Sequence, residues 1–261
     1  LVYGDIAAAS RGELSRDVDG PLKTILLSHE DDGSMVRERL EAAGADMDYI
    51  RFLRITEDGM ETRANLNVDL DALRALVQSW GAHAVVVDPI QSYIEGDTNN
   101  RHKVRAVLDP LAQLAQQTNV AIIGVAHTGK GGGKASDKIN GSAAWRDAAR
   151  CHLFMAADHN SGDKSITLDK SNYTAKAGTS WTYTIDEVMV RMDNGELAPF
   201  PVVTVGDETD LTAEAIINRG PDTDDNETQD AKTFLVDFLT EAGGEVSAGD
   251  VIKAGRVAGF S

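Results

Sequence analysis

The chain contains a single cysteine, Cys151, among its 261 residues, so an internal disulfide is excluded. No local pattern supports a reactive thiol there, and Cys151 is expected to be a small buried hydrophobe. The six histidines are scattered and none pairs with cysteine at ligand spacing, which argues against a zinc site. Long hydrophobic runs are missing too. None approaches membrane-spanning length, and no signal-peptide pattern opens the chain. The expectation is a cytoplasmic protein with no membrane partner. Positive charge is scarce: 25 Lys and Arg stand against 42 Asp and Glu, a formal net charge of −17. That balance excludes a broad basic surface gripping nucleic acid non-specifically, but not a local basic loop, where only the nearby field matters. The remaining composition, 42% hydrophobic and 26% charged, suits one large α/β domain with a small appendage.

Two apolar runs end abruptly in polar residues: Ala84-Val85-Val86-Val87-Asp88 and Val120-Ala121-Ile122-Ile123-Gly124-Val125-Ala126-His127. Short, rich in β-branched residues and free of alternation, they read as strands buried on both faces of a parallel sheet. Between them Val104, Val107, Leu108, Leu111 and Leu114 fall at helical spacing. Chemistry in such a β-α-β unit lies beyond the carboxyl ends of the strands, so Asp88 and His127 are expected to share one crevice. A third run, Thr24-Ile25-Leu26-Leu27-Ser28, leads into His29-Glu30-Asp31-Asp32 and adds carboxylates to that edge. Any of Glu30, Asp31 and Asp32 can serve as a functional carboxylate or as the cap of a helix over Ser34–Ala43.

Residues 1–12 read as the tail of a helix with Gly12 at its C′ position. Leu70, Leu73, Leu76, Val77 and Trp80 form an apolar stripe stopped by Gly81, and Pro110 is expected to kink the following helix. Residues 128–138 hold four glycines and three lysines, Lys130, Lys134 and Lys138, and are expected to form an irregular basic loop. Ser142 begins a short helical segment reaching Arg150. Strand patterns dominate from Cys151 to about residue 205, with Asn194-Gly195 as a hairpin signal, which predicts antiparallel strands extending a parallel core. Residues 206–230 are acidic and poor in large apolar groups, as a solvated linker would be. Residues 231–261 read as the start of a small helical or winged-helix module.

A nucleotide site needs backbone N–H groups and a lysine around the phosphates and a hydroxyl on Mg²⁺. The nearest match, Gly124-Val-Ala-His-Thr-Gly129-Lys130-Gly131, follows a strand but has glycine in place of serine or threonine and more glycines in place of a helix. A mobile basic loop accounts for it better than a phosphate loop does.

Several segments together are similar to one family. They are Val86-Val-Asp-Pro-Ile-Gln-Ser-Tyr-Ile-Glu-Gly-Asp-Thr-Asn99, Val104-Arg-Ala-Val-Leu-Asp-Pro-Leu111, Val125-Ala-His-Thr-Gly-Lys130, Asn140-Gly-Ser-Ala-Ala-Trp-Arg-Asp-Ala-Ala-Arg150, and Ser28-His-Glu-Asp-Asp32 with Arg39-Leu-Glu-Ala-Ala-Gly-Ala-Asp46. In this order they resemble the RecA-fold ATPases of the RepA-like hexameric replicative helicase group, over about residues 1–205. The resemblance implies an α/β, RecA-like core with a mostly parallel sheet flanked by helices. It also implies ATP and Mg²⁺ as cofactors, single-stranded DNA and other replication proteins as partners, and a homo-hexamer. The family's Walker A lysine and threonine would fall immediately before Leu1, so the chain is expected to begin just after that motif and to be inactive without it.

Carried over by resemblance, Asp88 matches the Walker B aspartate on Mg²⁺ and Glu30 the glutamate that orients the attacking water. His127 matches a γ-phosphate sensor, and Arg150 a finger entering the neighbouring subunit's site. Lys170, in Leu168-Asp-Lys-Ser-Asn172, matches a second basic finger, although Asn172 replaces the family's arginine. Lys130, Lys134 and Lys138 would track the phosphates of single-stranded DNA. Phosphoryl transfer to water asks the protein mainly for positioning and charge neutralisation, which these residue types supply. Two other functions compete: a regulatory RecA-fold ATPase that unwinds nothing, and a non-enzymatic scaffold that binds DNA or a partner.

Overall fold

A computed structural model describes every residue except 15–18, 30–32, 58–59, 63–64, 67–68, 94–99, 128–143, 159, 193–194, 220–233, 237, 241–245 and 258–261. The chain runs α1 (Val2–Ser10), β1 (Thr24–Ser28), α2 (Gly33–Ala42), β2 (Ile50–Phe52), a small antiparallel pair β3 (Ile55–Glu57) and β4 (Met60–Thr62), α3 (Leu70–Trp80), β5 (Ala84–Asp88), α4 (Arg101–Thr118) and β6 (Ala121–Gly124). Strands β2, β1, β5 and β6 lie side by side in that order, all parallel.

Alternation along the strands divides the core into two layers. Ile25, Leu27, Val85 and Val87 face Leu73 and Val77 of α3 and Val104, Val107, Leu111 and Leu114 of α4. Leu26 and Val86 face the opposite way, onto Ile6 of α1 and Val36 and Leu40 of α2. Val85, Val86 and Val87 are all fully buried, which is why the run reads as apolar without alternation. Each such side chain contributes about 1.5–3 kcal/mol. Gly81 closes α3 in the left-handed region at φ +66°, a conformation that costs glycine little. Asn100 caps α4 by accepting from the N–H groups of His102 (3.0 Å) and Lys103 (3.3 Å). The helix then continues through Pro110.

After α5 (Ala144–Ala148) come β7 (Cys151–Ala157), β8 (Lys164–Ser171), β9 (Ser180–Arg191) and β10 (Leu197–Thr209), an antiparallel sheet in the order β10-β9-β8-β7. β9 is one long strand of 12 residues. Beyond its end the Met192 N–H donates to the Glu196 carbonyl at 2.8 Å, and Gly195 has φ +85°. α6 (Ala213–Asn218) packs Ala213 and Ile216 on Phe154 and Ala156.

Three expectations need correction. β6 is an edge strand among the described residues rather than one buried on both faces, and Ile123 is 42% exposed. Composition does not distinguish an edge from a centre when both carry β-branched residues. Cys151 is exposed, because it begins β7, an edge strand of the antiparallel sheet. The linker does not begin at 206, since residues 206–209 continue β10 and Ala213 and Ile216, three apart, dock α6 onto the sheet. The later acidic stretch, 220–230, lies outside the described residues.

A second compact unit spans Arg219–Ser261. Its described residues are helical at 234–236, 238–240 and in α7 (Ala248–Val257), with no strand among them. Phe234 and Phe238 stack with ring centroids 5.7 Å apart. Ser247 opens α7, its hydroxyl accepting from the Asp250 N–H at 3.2 Å and donating to the Asp250 carboxylate at 2.7 Å.

Candidate functional site

Because β1, β5 and β6 are parallel and in register, their carboxyl ends meet along one edge. Ser28 lies beside Asp88, and the next residue, His29, donates its N–H to the Asp88 carbonyl at 3.1 Å. Beyond β6, the Val125 N–H donates to Val87 at 2.9 Å and the Val125 carbonyl accepts from Ile90 at 2.8 Å. The edge therefore gathers the chain around Asp88 with the segment that carries His127.

The first turn of α1 reaches the same place. The Tyr3 hydroxyl donates to Asp88 Oδ2 at 3.1 Å, so α1 lies against the β5 tip. Tyr93 is buried nearby with its ring edge-on to His29, centroids 5.6 Å apart. Burial first, then the charge of Asp88, pushes its phenol well above the ordinary range, so it stays protonated. Gln91 donates from Nε2 to the His127 carbonyl at 3.1 Å, while its buried Oε1 has no hydrogen-bond partner among the described residues. The His127 side chain is exposed.

A second cluster surrounds α5. Arg146 Nε donates to Asp169 Oδ2 at 2.5 Å, and its Nη2 donates to the Asp169 carbonyl at 3.4 Å. His152 Nδ1 lies 2.9 Å from the same Oδ2. An ionised carboxylate only accepts, so that nitrogen carries the proton. Burial pushes the Asp169 carboxyl up, but the bonds from Arg146 and His152 together outweigh it and hold the group below its ordinary value. Lys170 Nζ donates to the carbonyls of Arg146 (2.9 Å) and Asp147 (3.1 Å). Arg150 is exposed, and its carbonyl accepts from the Asn172 N–H at 2.8 Å. Beside this cluster a cavity of about 150 Å³ is bordered by His152, Asp169, Thr167 and Glu214.

The expected site residues thus fall into two places. Asp88 and the His127 segment meet at the parallel sheet's edge, whereas Arg150 and Lys170 meet at α5 and β8. Glu30, Lys130, Lys134 and Lys138 lie outside the described residues, as do Asp31 and Asp32. Sequence reasoning missed Tyr3, Gln91 and Tyr93 around Asp88, and Arg146, His152 and Asp169 around α5. Tyr3 carried a signal, as a polar-tipped aromatic in a helix of mostly small side chains. Gln91 and Tyr93 stand only three and five residues beyond Asp88, in a stretch where only the aspartate drew notice.

The donor set at the β5 tip suits Mg²⁺. That ion keeps most of its water and takes one or two carboxylates plus substrate phosphates, not an all-protein cage. Asp88 offers one carboxylate, and no cluster of His, Cys, Asp or Glu able to hold a metal occurs among the described residues. Among the same residues no helix is long and apolar enough to cross a membrane.

No curated protein matches the chain. Residues 5–133, from α1 through β6, match a family model described as an AAA domain. With a parallel sheet flanked by helices and an acid at its carboxyl edge, that match supports a P-loop, RecA-like, nucleotide-hydrolysing ATPase.

Proposed function

We propose that this chain is the ATP-hydrolysing motor of a RepA-like replicative DNA helicase, which assembles as a ring, a hexamer by resemblance, and moves along single-stranded DNA. The observation that carries the ATPase part is the meeting of Asp88 with the first turn of α1 through Tyr3. Asp88 stands at the carboxyl edge of the parallel sheet and supplies the carboxylate that metal-assisted phosphoryl transfer requires. Asp88 would hold Mg²⁺, which when bound neutralises charge on the phosphates.

The chain's own groups supply the rest. Glu30, two residues beyond the β1 tip, orients the attacking water and receives its proton. His127 hydrogen-bonds the terminal phosphate, and Gln91 steadies its backbone from below. Arg150 reaches the site of a neighbouring subunit and offsets the charge that develops during transfer. Lys170 is the second cation of that interface, and in the single chain its ammonium rests on the carbonyls of α5. The basic loop bearing Lys130, Lys134 and Lys138 touches the DNA backbone within the ring.

The test is ATP turnover by the full-length protein with and without single-stranded DNA. Replacing Lys130, Lys134 and Lys138 by alanine should abolish stimulation by DNA. It should also reduce the slope of log affinity against log salt by about 0.7 for each phosphate no longer neutralised. Undiminished stimulation with an unchanged slope contradicts the motor and favours a regulatory ATPase.

A further inference from the structure

α5 has five residues, too few to hold a direction by its own hydrogen bonds. Its start is buried through Ala144 and Trp145. Its end is gripped from β8 by adjacent residues: Asp169 takes the Arg146 side chain, and Lys170 takes the carbonyls of Arg146 and Asp147. Just beyond, the Asn172 N–H holds the Arg150 carbonyl. Only Ala149 and Arg150 separate α5 from β7, so any turn of α5 is passed directly to Arg150.

The sheet is irregular at this point. Across the β7–β8 pair, His152 faces Lys170 and Leu153 faces Leu168, which leaves Asp169 without a partner residue opposite. Such a bulge re-aims a side chain, here setting the Asp169 carboxylate on both Arg146 and His152. Asp147, the acid of α5 itself, faces Arg101 at 3.5 Å.

We propose that Asp169 is a positioning residue that holds Arg146, and with it the α5–β7 strap, so that Arg150 is aimed at a neighbouring subunit's nucleotide. The inference rests on the reading of Arg150 as a finger acting in trans. Asp169 itself touches no substrate. It acts on catalysis only through the direction of Arg150, and Lys170 adds a second hold on the same turn.

The test compares Arg150→Ala, Asp169→Ala, Asp169→Asn and the double variant Arg150→Ala/Asp169→Ala in the full-length protein. ATP turnover and amide hydrogen exchange over residues 144–150 are both measured. Asp169→Ala should lower kcat by about ten- to a hundredfold with little change in KM, because misaiming a group by about 1 Å costs that much. Exchange over 144–150 should accelerate. Asp169→Asn keeps an acceptor for Arg146 and should recover part of the loss. It also serves as the test variant if the alanine form does not fold. In the Arg150→Ala background the Asp169 substitution should cost nothing further. A crippled Arg150→Ala beside an unimpaired Asp169→Ala overturns the proposal, as does an Asp169 effect that persists undiminished without Arg150. An unimpaired Arg150→Ala overturns the finger reading itself, and the proposal falls with it.

Discussion

Tyr3 and Asp88, 85 positions apart in the chain, are joined by a hydrogen bond of 3.1 Å from phenol to carboxylate. Through it the first helix is pinned to the tip of β5, against the aspartate that ends a buried strand. Tyr3→Phe keeps the ring and deletes the donor. The variant should lose about 1.5–3 kcal/mol of stability, the range for a bond to a charged group. Urea denaturation should show a lower midpoint with an unchanged slope. An unchanged midpoint would mean that the hydroxyl does not hold the helix.

Asp88→Asn should abolish Mg²⁺-dependent ATP hydrolysis in the full-length protein while the circular dichroism spectrum stays native. The amide is nearly isosteric but carries no charge for the metal, and the backbone bond from His29 does not involve the side chain. Wild-type turnover in this variant would remove Asp88 from the metal site.

Glu30→Gln should bind nucleotide normally and stall at hydrolysis, because an amide does not take up the proton of the attacking water. Asp31→Asn should turn over at close to the native rate. The reverse pattern, a stalled Asp31→Asn and an active Glu30→Gln, would move the role to the neighbouring carboxylate.

The Arg146–Asp169–His152 cluster has its own pH signature. The folded state holds the Asp169 carboxyl below its ordinary value of 3.8, so the unfolded chain takes up the proton first as the pH falls. The cluster's contribution is therefore present above that ordinary value and is lost as the pH drops through the depressed one. The stability difference between the native protein and Asp169→Asn should shrink as the pH falls from about 5 towards about 3. A difference independent of pH would show that the charge on Asp169 contributes nothing.

Much of the fold could be read from local pattern. β1 and β5 announced themselves because residues facing both layers must be apolar, and α3 because its stripe ends at a glycine in the left-handed region. β6 misled for the same reason, since an edge strand of β-branched residues carries the composition of a central one. Asp88 and the segment of His127 were placed together by the rule for parallel strand ends, and the register puts them there. Asp169 was beyond reach. Its partners lie 23 and 17 positions away, and its aim comes from a bulge that no local spacing encodes. The extension of β10 past residue 205 was hidden by Asp207 and Glu208, whose charge reads as linker although both are exposed on an edge strand.

The central claim is an ATPase whose sites are shared between subunits, and mixing two inactive full-length variants tests it most directly. An Asp88→Asn subunit keeps its own Arg150, and an Arg150→Ala subunit keeps its own metal carboxylate. Labelled protein is first used to establish that subunits exchange between assemblies. Mixed in equal amounts, the two variants should then rebuild some complete interfaces and recover about a quarter of native turnover, from random pairing of neighbours around independent sites. With exchange established, a mixture no more active than either variant alone would contradict the account.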